Sequence, residues 1–247
     1  MANLVVTCGV RSLSEKAKAT SAPPDFLEVA WPRGLPVPWS DVLSFSPDVF
    51  AFSSRSAVDA ALGGVEAGIL LARWRGAVFA AVGAQTATHL AQALSRVFAG
   101  RPPRVWNPAA FAENEGLEAL LNSLPPEAGR VVVFGAKGGR AENMPSPHGR
   151  TLLSAPCYEL VPVEGLAETF KQLFARWRKD NGTGTVTLRV GSGAVAEAVC
   201  DALAELDSLR ASEGEGWLFF EARHASAQAL LTKRGLGHRM SKASDAS

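Results

Sequence analysis

The sequence predicts a parallel α/β protein divided into two domains, with the chain crossing between them twice. Three observations carry that prediction. First, short apolar runs bounded by turn residues alternate with longer amphipathic runs, mostly without hairpin signals. Such alternation specifies βαβ units and parallel sheets. Second, two proline-bearing extended stretches, 26–40 and 155–163, flank a central block. Third, a faint internal repeat puts similar strand–helix junctions in both halves. Ser54-Arg55-Ser56-Ala57-Val58 aligns with Gly191-Ser192-Gly193-Ala194-Val195 through the shared Ala-Val, and Thr86-Ala87-Thr88-His89-Leu90 aligns with Ser226-Ala227-Gln228-Ala229-Leu230.

In order, Leu4–Cys8 reads as a strand, Leu13–Ser21 as a helix and Phe26–Ala30 as extended chain. Trp31–Ser40 has three prolines and a glycine. Proline fixes φ and lacks a ladder donor, so this stretch is expected to be linker or sheet edge. Asp48–Ser53 has a buried-strand pattern and runs through Ser54-Arg55-Ser56 into a helix at Ala57–Leu62. Ala77–Val82 is a strand, and Gly83-Ala84-Gln85-Thr86 opens a helix that ends near Val97. Glu115–Ser123 reads as a helix, Arg130–Phe134 as a strand and Gly135–Gly139 as a tight turn that fits no phosphate-loop pattern. Leu152–Val163, with Pro156 and Pro162, reads as a second extended linker. Then come a helix at Leu166–Arg178, a strand at Thr185–Val190, a helix at Ala194–Leu206, a strand at Gly216–Phe220 and a helix at Ala225–Arg234. The expected division is a discontinuous domain of 1–25 plus 164–247, linker strands 26–40 and 155–163, and a central domain 41–154.

Composition narrows the function. With 25 basic and 24 acidic residues among 247, a net charge of +1 leaves no excess of cations to neutralise a nucleic-acid backbone. A hydrophobic content of 47% excludes a disordered chain. Cys8, Cys157 and Cys200 are too few and too scattered for a disulfide framework or a zinc site. The opening MANLVVTCGVRSL lacks the basic lead and long apolar core of a signal peptide, and no run is long enough to span a bilayer. The expectation is a soluble, cytoplasmic, monomeric protein with no membrane or nucleic-acid partner and no bound metal.

In parallel sheets, ligands sit where loops follow strand C-termini. Helix N-termini there offer unpaired N–H groups and a partial positive charge that suit carboxylates and phosphates. Small hydroxyl-bearing and glycine junctions facing each other across a cleft would hold a polyanion through many weak contacts.

PDVFAFSSRSAV (Pro47–Val58), AVFAAVGAQTATHL (Ala77–Leu90), NEGLEALLNSL (Asn114–Leu124), RVVVFGAKGGR (Arg130–Arg140) and CYELVPV (Cys157–Val163), in that order and over about 200 residues, resemble uroporphyrinogen-III synthase. The resemblance implies two flavodoxin-like domains joined by a two-stranded linker. It implies closure of hydroxymethylbilane, a linear polycarboxylate tetrapyrrole, to uroporphyrinogen III. Ring D is inverted through a spiro intermediate, without a metal or organic cofactor. It also implies site residues. Tyr158, the only tyrosine, matches the family's linker tyrosine, a candidate acid for the departing hydroxide; the alternative is an aromatic packed between domains. Ser53 and Ser54 match the "[TS]-S" turn and Thr86 the "G-x-x-T-A" helix start. Their hydroxyls serve either substrate carboxylates or helix capping. Gly83 is expected to permit close backbone approach. Arg11, Arg55 and Arg140 lie at strand–helix turns, where they either pair with carboxylates or stand solvated. Thr7, Ser192 and Ser226 are the corresponding positions of the discontinuous domain, where the pattern departs from the family. Arg189-Val190-Gly191 stands for "F-T-S", and Arg223 replaces a glycine. That departure keeps open a non-catalytic relative that binds a tetrapyrrole or another polycarboxylate.

Overall fold

A strand covered on both faces needs apolar side chains at every position. Val49–Phe52 meets that demand, with all 4 residues fully buried in the computed structural model. The structure describes residues 3–12, 25–64, 74, 76–98, 102–108, 116–145, 149–182, 184–206, 217–223 and 225–240. The helix expected over Leu13–Ser21 lies outside them. In chain order the elements are β1 (Asn3–Gly9), β2 (Phe26–Glu28), β3 (Ala30–Gly34), α1 (Trp39–Phe45), β4 (Val49–Phe52), α2 (Arg55–Leu62), β5 (Val78–Ala81), α3 (Ala84–Val97), β6 (Val105–Trp106), α4 (Leu117–Ser123), β7 (Arg130–Ala136), β8 (Thr151–Pro162), α5 (Leu166–Asn181), β9 (Thr185–Val190), α6 (Gly193–Ala204), β10 (Leu218–Ala222) and α7 (Ala225–Lys233).

Two sheets result, with strand orders β10-β9-β1-β2 and β3-β8-β7-β4-β5-β6. The ladders β1/β2, β1/β9, β9/β10, β4/β5, β4/β7, β5/β6 and β7/β8 are parallel. The chain divides into two compact units. One comprises Met1–Arg11, Ala19–Trp31 and Val161–Ser247; the other comprises Ser12–Lys18 and Pro32–Leu160.

In the first unit, Val6 and Cys8 of β1, Val186, Leu188 and Val190 of β9, and Leu218 and Phe220 of β10 form one buried layer. They pack with Phe170 and Phe174 of α5, Val195 and Val199 of α6 and Leu231 of α7. Strand alternation sends Thr7, Arg189 and Glu221 to the opposite face. In the second unit both sheet faces are covered. Phe50, Phe52, Phe79 and Phe134 pack with Ala57 and Val58 of α2 and Leu90 and Leu94 of α3. Val49, Ala51, Ala80, Val131 and Val133 meet Leu117, Leu120 and Leu121 of α4. Phe50 stacks on Phe79 at 5.3 Å and on Phe134 at 6.3 Å between ring centroids.

β3, in the first proline-bearing stretch, ends its sheet as the edge reading expected, while the helix that begins at Trp39 and the interior position of the second stretch are corrections. Segment 26–40 is divided between β2 in one sheet, β3 in the other and the start of α1. Pro38 is the N-cap of α1, where a missing N–H is harmless, and Ser46 ends the helix with φ 50°. Segment 155–163 falls largely in the 12-residue strand β8, which lies inside its sheet between β7 and β3. Its prolines are tolerated for a local reason. Gly135 pairs with Pro156 and Ala136 with Tyr158, so Cys157 is an extra residue in β8. Pro156 thus sits where the ladder is already broken and a donor is not required. The same bulge turns two successive side chains, Cys157 and Tyr158, into the core.

Phe50→Ala is expected to cost about 3–5 kcal/mol, because the ring is fully buried and packs against Trp74, Phe79 and Phe134. Urea unfolding followed by tryptophan fluorescence checks this, with exposed Gln85→Ala expected to shift stability by no more than about 0.5 kcal/mol.

Candidate functional site

Ser53 and Ser54 follow β4 directly and are fixed by their neighbours. The Ser53 amide donates to the Phe134 carbonyl at 3.0 Å. A Cβ at position 135 would lie 2.9 Å from the Ser53 Oγ, so glycine there makes room for the hydroxyl. Ser54 is the N-cap of α2, its Oγ accepting the Ala57 N–H at 3.1 Å. The same oxygen lies 3.0 Å from the Tyr158 Oη. Accepting from Ala57 leaves the serine its own proton and a second lone pair, so the serine–tyrosine bond can run in either direction. Arg55, half-buried, is the first residue of α2.

Tyr158 does not stand open to solvent: it is 7% exposed and packs with the Phe52 and Phe134 cluster. The bulge is the cause, since it places this residue and Cys157 on the same buried side. Burial pushes the phenol pKa up, while the bond to Ser54 pulls it down. The Tyr158 carbonyl accepts the Lys137 N–H at 2.8 Å. Cys157, which the sequence marks only as a small apolar residue, links three elements. Its thiol reaches the Gly135 carbonyl at 3.6 Å and the Ala57 carbonyl at 3.7 Å, tying β7 and β8 to the first turn of α2. Burial pushes that thiol up to about 12, so it stays protonated and can donate. A one-residue insertion in a ladder leaves no compositional mark, so this role was not legible in the sequence.

Gly83 is the N-cap of α3 with extended backbone and no side-chain cap. A Cβ there would meet nothing within 4 Å, so the protein's own packing does not demand the glycine. Thr86 heads the buried stripe Thr86–Leu90–Leu94 and is 9% exposed.

Two of the arginines named from the sequence, Arg140 and Arg11, hold protein carboxylates. Arg140 pairs with Glu118 at 3.0 Å, both side chains well exposed. Arg11 pairs with Glu28 at 2.8 Å across the ends of β1 and β2.

In the first unit, Ser192 is the N-cap of α6 and accepts the Val195 N–H at 3.3 Å. Ser226, in the first turn of α7, accepts the Gly193 N–H at 3.2 Å. Both hydroxyls therefore serve the same helix terminus. Capping also corrects the repeat alignment by one residue: Ser54 and Ser192 are equivalent, each accepting from the amide three residues on. Thr7 lies within β1 at the register of Phe26 and Arg189. The predicted residues thus fall into a Ser53–Ser54–Tyr158 cluster in the second unit and a Ser192–Ser226 pair in the first, with Arg140 turned to Glu118.

No family model matches this chain, and no curated protein matches it. Among solved structures, uroporphyrinogen-III synthetase from Helicobacter pylori 26695 is similar with a TM-score of 0.56, covering 95% of this chain and 90% of that one at 13% sequence identity. That likeness is one of fold, a two-domain α/β arrangement with parallel sheets. Among the described residues, no helix is long and apolar enough to cross a membrane.

Because Tyr158 is the only tyrosine, alkaline difference absorbance reports it alone. Its midpoint is expected above the ordinary 10.0, and Ser54→Ala should move it higher by removing the bond that lowers it. The same substitution should cost about 1 kcal/mol through the lost cap. Folding also raises Cys8 and Cys157 to about 12 and Cys200 to about 11, from 9.0. The stability from these protonated thiols is complete below the unfolded value and is lost as pH rises through the folded values. Denaturation midpoints measured from pH 8 upward should therefore fall progressively, and substituting Cys8 by Ala should flatten the slope.

Proposed function

We propose that this protein cyclises hydroxymethylbilane to uroporphyrinogen III, with ring D inverted through a spiro intermediate. The observation that carries the reading is the hydroxyl pair of Ser54 and Tyr158, set where β4 ends and α2 begins. The fold likeness, which spans nearly the whole of both chains, supports it. The reading places the protein in tetrapyrrole biosynthesis as a monomer in the cytoplasm, a lyase acting on a small polycarboxylate.

The chemistry asks little of the protein beyond position and one proton. The pyrrole nitrogens drive loss of the terminal hydroxide, and the resulting cation is attacked at the substituted carbon of ring D. A phenol held protonated by burial can donate to the departing oxygen. Ser54 can then donate to the developing phenolate while remaining anchored by the Ala57 amide. The remaining task is to fold the linear chain so that the spiro route outruns direct closure to the type I isomer. Ser53, Arg55, Gly83 and Thr86, at the openings of α2 and α3, are assigned to the substrate's acidic arms, together with Arg140, Thr7, Ser192 and Ser226.

One observation favours a second reading, a non-catalytic relative that binds a tetrapyrrole or another polycarboxylate. Ser192 and Ser226 are already bonded to α6, so the first unit offers fewer free hydroxyls than a substrate-folding surface needs.

Purified protein given hydroxymethylbilane, followed by oxidation and separation of the porphyrin isomers, tests both. Type III product above the spontaneous rate is expected. Tyr158→Phe, which keeps the packing, should lower turnover by about 100-fold. Type I product alone, at the spontaneous rate, would rule out the cyclising reading.

A further inference from the structure

Arg189 stands where the family pattern has a phenylalanine and Arg223 where it has a glycine, and the fold brings both arginines to one carboxylate. In the parallel ladders of the first unit, Arg189 of β9 stands level with Thr7 of β1 and Glu221 of β10. Level residues share a face, so these three form a row across adjacent strands near the C-terminal ends of β9 and β10. The face is the one opposite the apolar layer of Val6, Leu188, Val190 and Phe220. Arg223 lies two residues beyond Glu221, its amide bonded to the Val190 carbonyl at 3.1 Å.

Glu221 accepts the Arg189 Nε–H at 2.7 Å and lies 3.9 Å from the Arg223 Nε. Two guanidiniums thus share one carboxylate, and the trio carries one net positive charge. This sets it apart from the one-to-one pair Arg140–Glu118. Arg189 is bound through Nε alone. Its Nη1 and Nη2 have no protein partner among the described residues, and the side chain is 32% exposed. A guanidinium fixed at one nitrogen, with its remaining donors free and half-buried, is preorganised for a second carboxylate. Less side-chain freedom is lost when that carboxylate binds. Two N-terminal amides of α6, those of Gly193 and Val195, already bond Ser226 and Ser192, so that terminus has less to offer an anion.

We infer that Arg189 and Arg223 form a carboxylate-binding subsite for a polycarboxylate ligand. Glu221 orients the Arg189 guanidinium, and Thr7 stands beside it in the same row. The subsite replaces hydroxyl contacts with cationic ones in the first unit. It rests on the polycarboxylate reading of the ligand but not on catalysis.

Two probes test it by titration calorimetry at low and moderate salt: uroporphyrin III, with eight carboxylates, and mellitate, a benzene hexacarboxylate with no pyrrole. Arg189→Gln is expected to weaken binding of both by about tenfold or more, and exposed Arg223→Gln by about threefold. Glu221→Gln keeps an acceptor for Nε while removing a competing charge, so it should tighten both probes and steepen their salt dependence. Arg234→Gln, a surface pair with Asp201 in the same unit, should change neither. Wild-type affinity in both Arg189→Gln and Arg223→Gln would overturn the subsite. So would failure of the wild type to bind either probe, or weaker binding in Glu221→Gln. Circular dichroism separates these outcomes from unfolding, and Arg223→Gln, on an exposed side chain, keeps the test open if Arg189→Gln does not fold. Failure of hydroxymethylbilane conversion with Arg189-dependent probe binding would remove the cyclising reading and keep the subsite. Conversion with unchanged KM and unchanged probe binding in both Arg189→Gln and Arg223→Gln would do the reverse.

Discussion

Cys157 occupies no register position against β7, and the arrangement of the second unit's hydroxyl pair depends on that extra residue. Without it, strand alternation would place Cys157 and Tyr158 on opposite faces. With it, the thiol reaches the α2 backbone at Ala57 and the phenol reaches the side chain that caps α2. The helix start, the strand and the hydroxyl pair are consequently one bonded unit. Ser54 is held at one side by an amide of its own helix and at the other by a tyrosine 104 residues away. A group so constrained contributes direction as well as polarity, which is what a proton donor needs.

The two units use similar strand–helix junctions to different ends. In the second, the cap serine also faces a phenol, and α3 begins at a glycine with no side-chain cap. In the first, two serines from different helices close the N-terminus of α6. An anion approaching α6 would have to compete with bonds already made, whereas an arginine row nearby carries unspent positive charge. Recognition of acidic groups in the first unit would then rest more on guanidiniums than on hydroxyls.

Much of the architecture was legible because burial on both faces leaves a signature no other element shares. Val49–Phe52 and Val131–Phe134 are apolar throughout since no residue in them reaches water. Serine or glycine before a helix marked the starts of α2, α3 and α6. Proline misled in two places. Beside Trp39 it opened a helix instead of forbidding one, and at position 156 it lay inside a sheet at the one point where a donor was dispensable. The candidate site was legible as residue types and hidden as contacts. Arg11 meets Glu28, and Arg189 meets Glu221 across 32 residues, through pairings that only the sheet creates. Sequence spacing cannot tell an arginine that awaits a ligand from one that already holds a glutamate.

The order of strands has a consequence for how the chain is made. All strands of the six-stranded sheet lie between residues 30 and 162, so that sheet can close while the rest of the chain is still emerging. The four-stranded sheet cannot. Asn3 at the start of β1 must wait for Thr185, 182 residues later, before its ladder with β9 exists. At ribosomal speeds that is roughly 10–40 s during which β1 presents an open edge. An unpaired apolar edge is a template for intermolecular pairing. β1 is thus secured late, and an exposed interval of the nascent chain falls between its emergence and the arrival of β9.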